Sequence, residues 1–86
     1  MNEPEKGKFV GEVTHYFPHV SAAVVKFTGA LKVGDRVRIV GGGDDFEQEV
    51  ASMQIDRSPI EAAKKGDEVG LEVTEKTREG CKVYIV

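Results

Sequence analysis

The chain has 86 residues, of which 40% are apolar and 31% are charged, and its formal net charge is −3. This composition is ordinary for a soluble globular domain and excludes a disordered chain. No apolar run approaches the roughly 20 residues that cross a bilayer, so we predict no membrane association. The acidic balance also argues against nucleic-acid binding driven by overall charge.

The first residues, MNEPEKGK, lack the apolar segment of a signal peptide, and Cys81 is the single cysteine of the sequence. One cysteine cannot form an internal disulfide, which suits a reducing compartment. We therefore expect a cytoplasmic protein whose fold depends on packing and backbone pairing. Residues 1–7 are predicted to form a flexible, solvated tail, and residues 8–86 a single domain.

Short runs rich in β-branched and aromatic residues follow one another along the domain, with turn residues between them. Such runs predict six strands and an all-β domain, either a barrel or a sandwich. They are KFVGEVTHY (8–16), VSAAVVKFT (20–28), DRVRIV (35–40), FEQEVASMQI (46–55), DEVGLEV (67–73) and KVYIV (82–86).

Alternation of apolar and polar residues within these runs indicates one buried face. We predict an inner face that includes Val13, Val24, Val37, Ile39, Val50, Leu71, Val73, Val83 and Ile85. In the fourth run, the apolar residues before Ala51 share one parity and those after Ser52 share the other. A single regular strand cannot bury both sets, so we predict a β-bulge near Ala51–Ser52.

Three consecutive glycines stand in the segment RIVGGGDDFE, residues 38–47. A phosphate-binding loop needs a lysine and a hydroxyl residue after its glycines, followed by a helix. Here Asp44 and Asp45 follow instead, and their charges would repel phosphate. We therefore predict no nucleotide binding.

The same segment is typical of a hairpin turn between antiparallel strands. A four-residue loop at Gly41–Asp44 would place Ile39 opposite Phe46 on the inner face. Arg38 and Arg36 would then lie opposite Glu47 and Glu49 on the outer face, as cross-strand ion pairs.

The segment SPIEAAKKG, residues 58–66, has two interpretations from its residues alone. Ser58 and Glu61 have capping-box spacing, Pro59 suits a first helical position and Gly66 a C-terminal cap, which together fit a short helix. Seven residues make a weak helix, so an extended segment followed by a turn is the alternative.

Residues of catalytic or metal-binding type do not group by spacing. His15 and His19 lie four apart, but Pro18 disfavours the helix that would bring them to one face, and no further histidine occurs. Cys81 has no base at a recognisable spacing. We predict no metal site, no cofactor and no enzymatic activity.

Taken in order, the segments VGEV, GALKVGDRVRIVG, VASMQID, AAKKGDEVGLEV and GCKVYIV resemble domain 2 of the translation GTPases, the elongation factor Tu family. The resemblance implies a closed six-stranded antiparallel barrel over residues 8–86, with Greek-key-like crossovers, and an extended conformation for residues 58–66. The GTPase domain has no counterpart here, so GTP hydrolysis is not implied. Similar barrels also form the C-terminal domains of collagenase-like peptidases.

Two functions follow as hypotheses. The first is a small binding module of the translation-factor type that associates with transfer RNA, ribosomal RNA or the ribosome through lysines and stacking aromatic rings. The second is a protein-interaction or regulatory module unrelated to translation. For either partner we predict a shared surface made by the turn at residues 16–19 and the segment 57–66. Its residues are Tyr16, Phe17, Arg57, Lys64 and Lys65, with Lys26 and Lys32 as further candidates for RNA.

Overall fold

A computed structural model describes residues 7–86, and the predicted tail therefore lies outside the described residues except for Gly7. The described chain forms ten strands: β1 (Lys8–Phe17), β2 (Ala22–Phe27), β3 (Leu31–Lys32), β4 (Arg36–Gly41), β5 (Asp44–Glu49), β6 (Met53–Ile55), β7 (Ser58–Ile60), β8 (Ala62–Ala63), β9 (Glu68–Glu72) and β10 (Lys82–Ile85). Over this range there is no helix with the length and apolarity to cross a membrane.

Eight of the strands form one antiparallel sheet in the order β5-β4-β10-β1-β2-β9-β6-β7, and β3 pairs with β8 in a second sheet. The all-β prediction is confirmed. The closed six-stranded barrel is wrong, because the outermost strands β5 and β7 do not pair with each other within residues 7–86. Ten strands form instead of six because the fourth predicted run is divided into β5 and β6, and because residues 31–32, 58–60 and 62–63, which lie outside the six predicted runs, form short strands.

The core lies on one face of the large sheet, and we refer to the opposite face as the outer face. Most of the predicted inner residues are buried, and Ile85 packs against them while half-buried. Val24 is an exception, because Ala23, Val25 and Phe27 occupy the inner side of β2. Odd-numbered and even-numbered positions of β2 both carry apolar residues, so alternation alone could not show which set faces the core.

The hairpin of β4 and β5 has the predicted register, with Ile39 opposite Phe46 and Arg38 opposite Glu47. The loop is shorter than predicted, since Gly41 pairs with Asp44 and Gly42–Gly43 form a two-residue turn. Both turn glycines have positive φ, as the tight hairpin turn requires.

The ion pairs of this hairpin run diagonally, which corrects the predicted pairs of directly opposed residues. Arg36 Nε lies 3.1 Å from Glu47 Oε1. Arg38 donates two hydrogen bonds of 2.7 Å to the Asp45 carboxylate. Diagonal neighbours are within reach of a long arginine side chain, so each guanidinium meets a carboxylate two residues away from its opposed partner.

No bulge forms at Ala51–Ser52. Strand β5 ends at Glu49, and the chain changes direction before β6 begins at Met53. Val50 is fixed by two backbone bonds, since its N–H donates to Asp35 O and its carbonyl accepts from Gly34 N. This break lets Val50, which precedes it, and Met53, which follows it, both point into the core. Register shifts occur instead in β1, between Phe9 and Gly11 and between Val13 and His15.

Two Gly-Asp turns lead into β4 and β9 with the same geometry. The Asp35 carboxylate accepts the N–H of Lys32, and the Asp67 carboxylate accepts that of Lys64, each at 3.0 Å. Gly66 has a φ of 94°, a conformation that favours glycine. Residues 58–66 are therefore extended and then turn, and the helical interpretation is wrong.

A buried glutamine bridges the edge strand β5 to the end of β9. Gln48 is 5% exposed, and its Nε2 donates to the Glu72 carbonyl at 2.7 Å. Its Oε1 accepts the N–H of Thr74 at 2.8 Å. One side chain thus links the edge strand β5 to the end of β9, a strand with which β5 does not pair.

Candidate functional site

The outer face carries a cleft of about 620 Å³ that lies across β2, β9 and β6. The cleft is our candidate functional site because it combines exposed apolar side chains with one cation and one anion. Eight residues line it: Phe17, Val20, Ala22, Ser52, Gln54, Arg57, Gly70 and Glu72.

Small residues form the floor of the cleft. Ala22 and Gly70 lie on the outer face, because their neighbours Ala23 and Leu71 point into the core. A Cβ atom on Gly70 would lie 3.6 Å from the Gln54 carbonyl oxygen, an ordinary contact. Glycine is therefore not sterically required here, and its effect is to leave room above β9.

An apolar wall borders one side of the cleft. Phe17 ends β1 with 44% of its surface exposed, and Val20 is 67% exposed in the turn that follows. The His15 ring lies against Phe17 with a centroid distance of 4.7 Å, and its Nδ1 is 3.5 Å from a Glu79 carboxylate oxygen. Phe17 lines the cleft and stays largely exposed despite this contact.

The two charged groups stand toward opposite ends of the cleft. Glu72 pairs with Ala22, near the Phe17 turn, and its carboxylate accepts the Ser52 hydroxyl at 3.1 Å. Arg57 lies in the turn from β6 to β7, beyond Gln54, which pairs with Gly70. Within residues 7–86 the exposed Arg57 guanidinium has no ion-pair or hydrogen-bond partner.

Backbone strain occurs in the two turns that border the cleft. Among the described residues, the non-glycine positions with positive φ are Ser21, Asp56 and Arg57, at 52°, 50° and 68°. Such conformations cost about 1 kcal/mol or more each and are retained where the surrounding structure holds them. The turn that contains Arg57 therefore has a defined backbone conformation, although neither of its two central residues is a glycine.

The structure brings together two of the five predicted site residues, Phe17 and Arg57. Tyr16 is half-buried against the core, on the other side of β1 from Phe17. Lys64 and Lys65 are exposed in the turn whose Gly66 bonds to Phe27, at the far end of β2 from Ala22. Whether any of these residues binds a partner stays a prediction.

Sequence reasoning missed six of the lining residues: Val20, Ala22, Ser52, Gln54, Gly70 and Glu72. One signal was available, since a glycine inside a strand often marks close approach or open space beside it. The others gave no signal, because they come from three separate runs of the chain.

Groups that could support catalysis or metal binding do not assemble in the part of the chain that the structure describes. No three His, Cys, Asp or Glu residues there are placed to hold a metal ion. The Cys81 thiol is buried, 3.5 Å from Gly41 O and 3.9 Å from Asp44 Oδ2. The predictions of no metal, no cofactor and no catalysis stay predictions.

Comparison with known proteins points to peptidases. No protein-family model matches the chain. An uncharacterized protease of Methanocaldococcus jannaschii is 37% identical over 78 residues, which cover 90% of this chain. The match covers 19% of that protease, so the chain spans about a fifth of the length of this relative.

Solved structures of the same fold come from Geobacillus thermoleovorans. One is the C-terminal domain of a protein described as a U32 peptidase, with a TM-score of 0.86 and 19% identity, over 99% of both chains. A selenomethionine variant of that domain has a TM-score of 0.84 and 21% identity, and covers 90% of this chain and 98% of its own.

These findings correct the resemblance to domain 2 of the translation GTPases, and with it the translation-factor function. The Methanocaldococcus jannaschii relative is described as a protease, and the two solved structures are of the C-terminal domain of a protein described as a peptidase. The segments that carried the resemblance centre on Gly-Asp turns before strands. Such turns satisfy backbone geometry in many small β domains, and they carry no information about a ligand.

Proposed function

We propose that this chain is a non-catalytic binding domain that serves a peptidase. It holds a polypeptide while cleavage takes place in a catalytic domain outside the 86 residues. The observation that carries the proposal is the 37% identity to a segment making up 19% of an archaeal protease. The proposal keeps the protein-interaction hypothesis and places it in a proteolytic setting.

The accessibility of the reactive groups supports binding rather than cleavage. Cys81, the single thiol, is 1% exposed, so a substrate carbonyl could not reach its sulfur without local opening. The exposed His15 contacts Glu79 and Phe17, neither of which has the hydroxyl or thiol that a histidine base activates. The cleft, in contrast, offers exposed apolar surface and, in Arg57, a cation without an ion-pair partner among the described residues, which are features of a recognition surface.

Two further expectations belong to this proposal. The free thiol of Cys81 suits a reducing compartment, so we expect the domain to act in the cytoplasm. Transfer RNA and ribosomal RNA remain predicted partners that no observation favours over a polypeptide. Filter binding at two salt concentrations tests them, because phosphate contacts weaken as salt rises.

A domain swap in the Methanocaldococcus jannaschii protease tests the proposed function. The matching region of 78 residues is deleted, or replaced by this chain. We expect the deletion to raise KM for labelled casein and to leave the cleavage of a short fluorogenic peptide unchanged. Replacement of the region by this chain should lower the KM for casein again. The short peptide serves as the control for an intact catalytic domain.

Three results would contradict the proposal. An unchanged KM for casein after the deletion would show that the region does not hold substrate. Loss of both activities with an intact fold by circular dichroism would show that the region takes part in catalysis. Cleavage of casein by the isolated 86-residue chain would show that the domain is itself catalytic.

A further inference from the structure

We propose that the cleft binds an extended polypeptide segment with a basic residue, an apolar residue and an acidic residue at alternate positions. The inference rests on the proposed function for its occupant, the substrate polypeptide of the peptidase. It goes further by stating which side chains of that polypeptide are recognised, and by which residues of this chain.

The apolar residue of the bound polypeptide contacts the floor and the apolar wall of the cleft. Ala22 and Gly70 leave an open space, and Phe17 and Val20 expose apolar surface beside it. A leucine-sized side chain above the floor would cover the Phe17 ring and remove this surface from water. Gly70 lies between the positions of Glu72 and Arg57, so the apolar residue is the central one of the three.

The charged residues of the segment are placed by the two ends of the cleft. Glu72, oriented by the Ser52 hydroxyl, favours a lysine or arginine near the Phe17 turn. Arg57 favours an aspartate or glutamate at the other end. Because no described residue pairs with Arg57, a carboxylate of the ligand displaces no existing ion pair there.

The spacing of an extended chain fits this arrangement. Alternate residues of a strand point to the same side and lie about 6.7 Å apart, so the first and third recognised residues are about 13 Å apart. Glu72 and Gly70 are likewise alternate residues of β9, and Arg57 lies three residues beyond Gln54, which is opposite Gly70. The turn at Asp56–Arg57 places the backbone of Arg57 at this end of the cleft.

Titration of the 86-residue chain with short blocked peptides tests the inference, with binding followed by ¹⁵N NMR shifts. The reference peptide is Lys-Ala-Leu-Ala-Glu. We expect the peptides with lysine at both ends, or with glutamate at both ends, to bind roughly three- to fivefold more weakly, as exposed ion pairs contribute little. Replacement of the leucine by serine should weaken binding by about tenfold.

A charge reversal with a matched control makes the test specific to Arg57. We expect Arg57→Glu to prefer the peptide with lysine at both ends over the reference peptide. Lys8→Glu changes the net charge by the same amount at an exposed position that does not line the cleft, at the opposite end of β1 from Phe17, and should keep the wild-type preference. Gly70→Leu, which fills the floor, should abolish binding of every peptide.

The outcomes separate this inference from the proposed function. Equal peptide preferences of Arg57→Glu and Lys8→Glu, or no saturable binding by the wild-type chain, would overturn the inference. Suppose that the protease carrying this chain has a lower KM for casein than the deletion variant, and that Arg57→Glu in the inserted chain leaves this KM unchanged. The proposed function then stands and the inference fails. Peptide selectivity without any effect of the domain deletion would instead overturn the proposed function.

Discussion

Replacement of Gln48 by methionine should destabilise the domain strongly, although the two side chains have nearly the same shape. The two side chains have similar length and volume, so the variant removes hydrogen bonds with little cavity formation. In the wild-type chain Nε2 donates to Glu72 O at 2.7 Å, and Oε1 accepts from the backbone N–H and the hydroxyl of Thr74 at 2.8 and 3.3 Å. Methionine can form none of these bonds with comparable strength.

The magnitude follows from the two backbone groups that lose their partner. An unsatisfied buried donor or acceptor costs about 1–3 kcal/mol. Glu72 and Thr74 are exposed residues, so water can reach part of their backbone, and we take about 1–1.5 kcal/mol for each group. We therefore expect a loss of about 2–3 kcal/mol in the free energy of unfolding, equivalent to a fall of roughly 10–20 °C in Tm for a domain of this size.

Urea unfolding followed by circular dichroism measures the loss, and amide hydrogen exchange locates it. The matched control is Gln54→Met, since Gln54 is exposed and its side chain has no hydrogen-bond partner among the described residues. We expect faster exchange of the Thr74 amide in the Gln48 variant alone. A destabilisation below about 0.5 kcal/mol, or equal effects of the two variants, would show that the bridge from β5 to β9 is not needed for stability.

Three further predictions concern the core, the surface and ligand binding. Leu71→Ala should cost about 2–5 kcal/mol by urea unfolding, because Leu71 is completely buried, and a cost under about 1 kcal/mol would contradict its place in the core. Arg38→Ala should cost at most about 1 kcal/mol and less in high salt, since the carboxylate of Asp45 is half exposed; a larger, salt-independent loss in the same assay would be inconsistent with a surface pair. Calorimetric titration with GTP or ATP should show no binding, and saturable micromolar binding lost on substitution of Gly42 would refute this prediction.

Local sequence patterns predicted the structure of this chain better than its family. The strands that follow the two Gly-Asp turns were predicted correctly, and Gly66 has the positive φ that such a turn needs. As evidence of family they pointed to translation factors, and the comparisons corrected this. A turn motif reports backbone conformation, which unrelated functions share, so it could not separate a translation factor from a peptidase domain.

The sequence by itself determined the features that depend on neighbouring residues. These are the all-β class and the register of the β4–β5 hairpin. Each depends on side-chain alternation or turn chemistry within about a dozen residues, and such preferences act before distant contacts form.

Only the tertiary structure decided the features that need contacts between distant segments. The open edge between β5 and β7, the burial of Ala23 rather than Val24, and the Gln48 bridge all depend on which strands become neighbours. The cleft depends on the same choice, since Phe17 and Arg57 come from turns 40 residues apart in the printed sequence and meet only across β2, β9 and β6. Long-range pairing is selected by the burial of the whole core, and no short pattern in the chain carries that information.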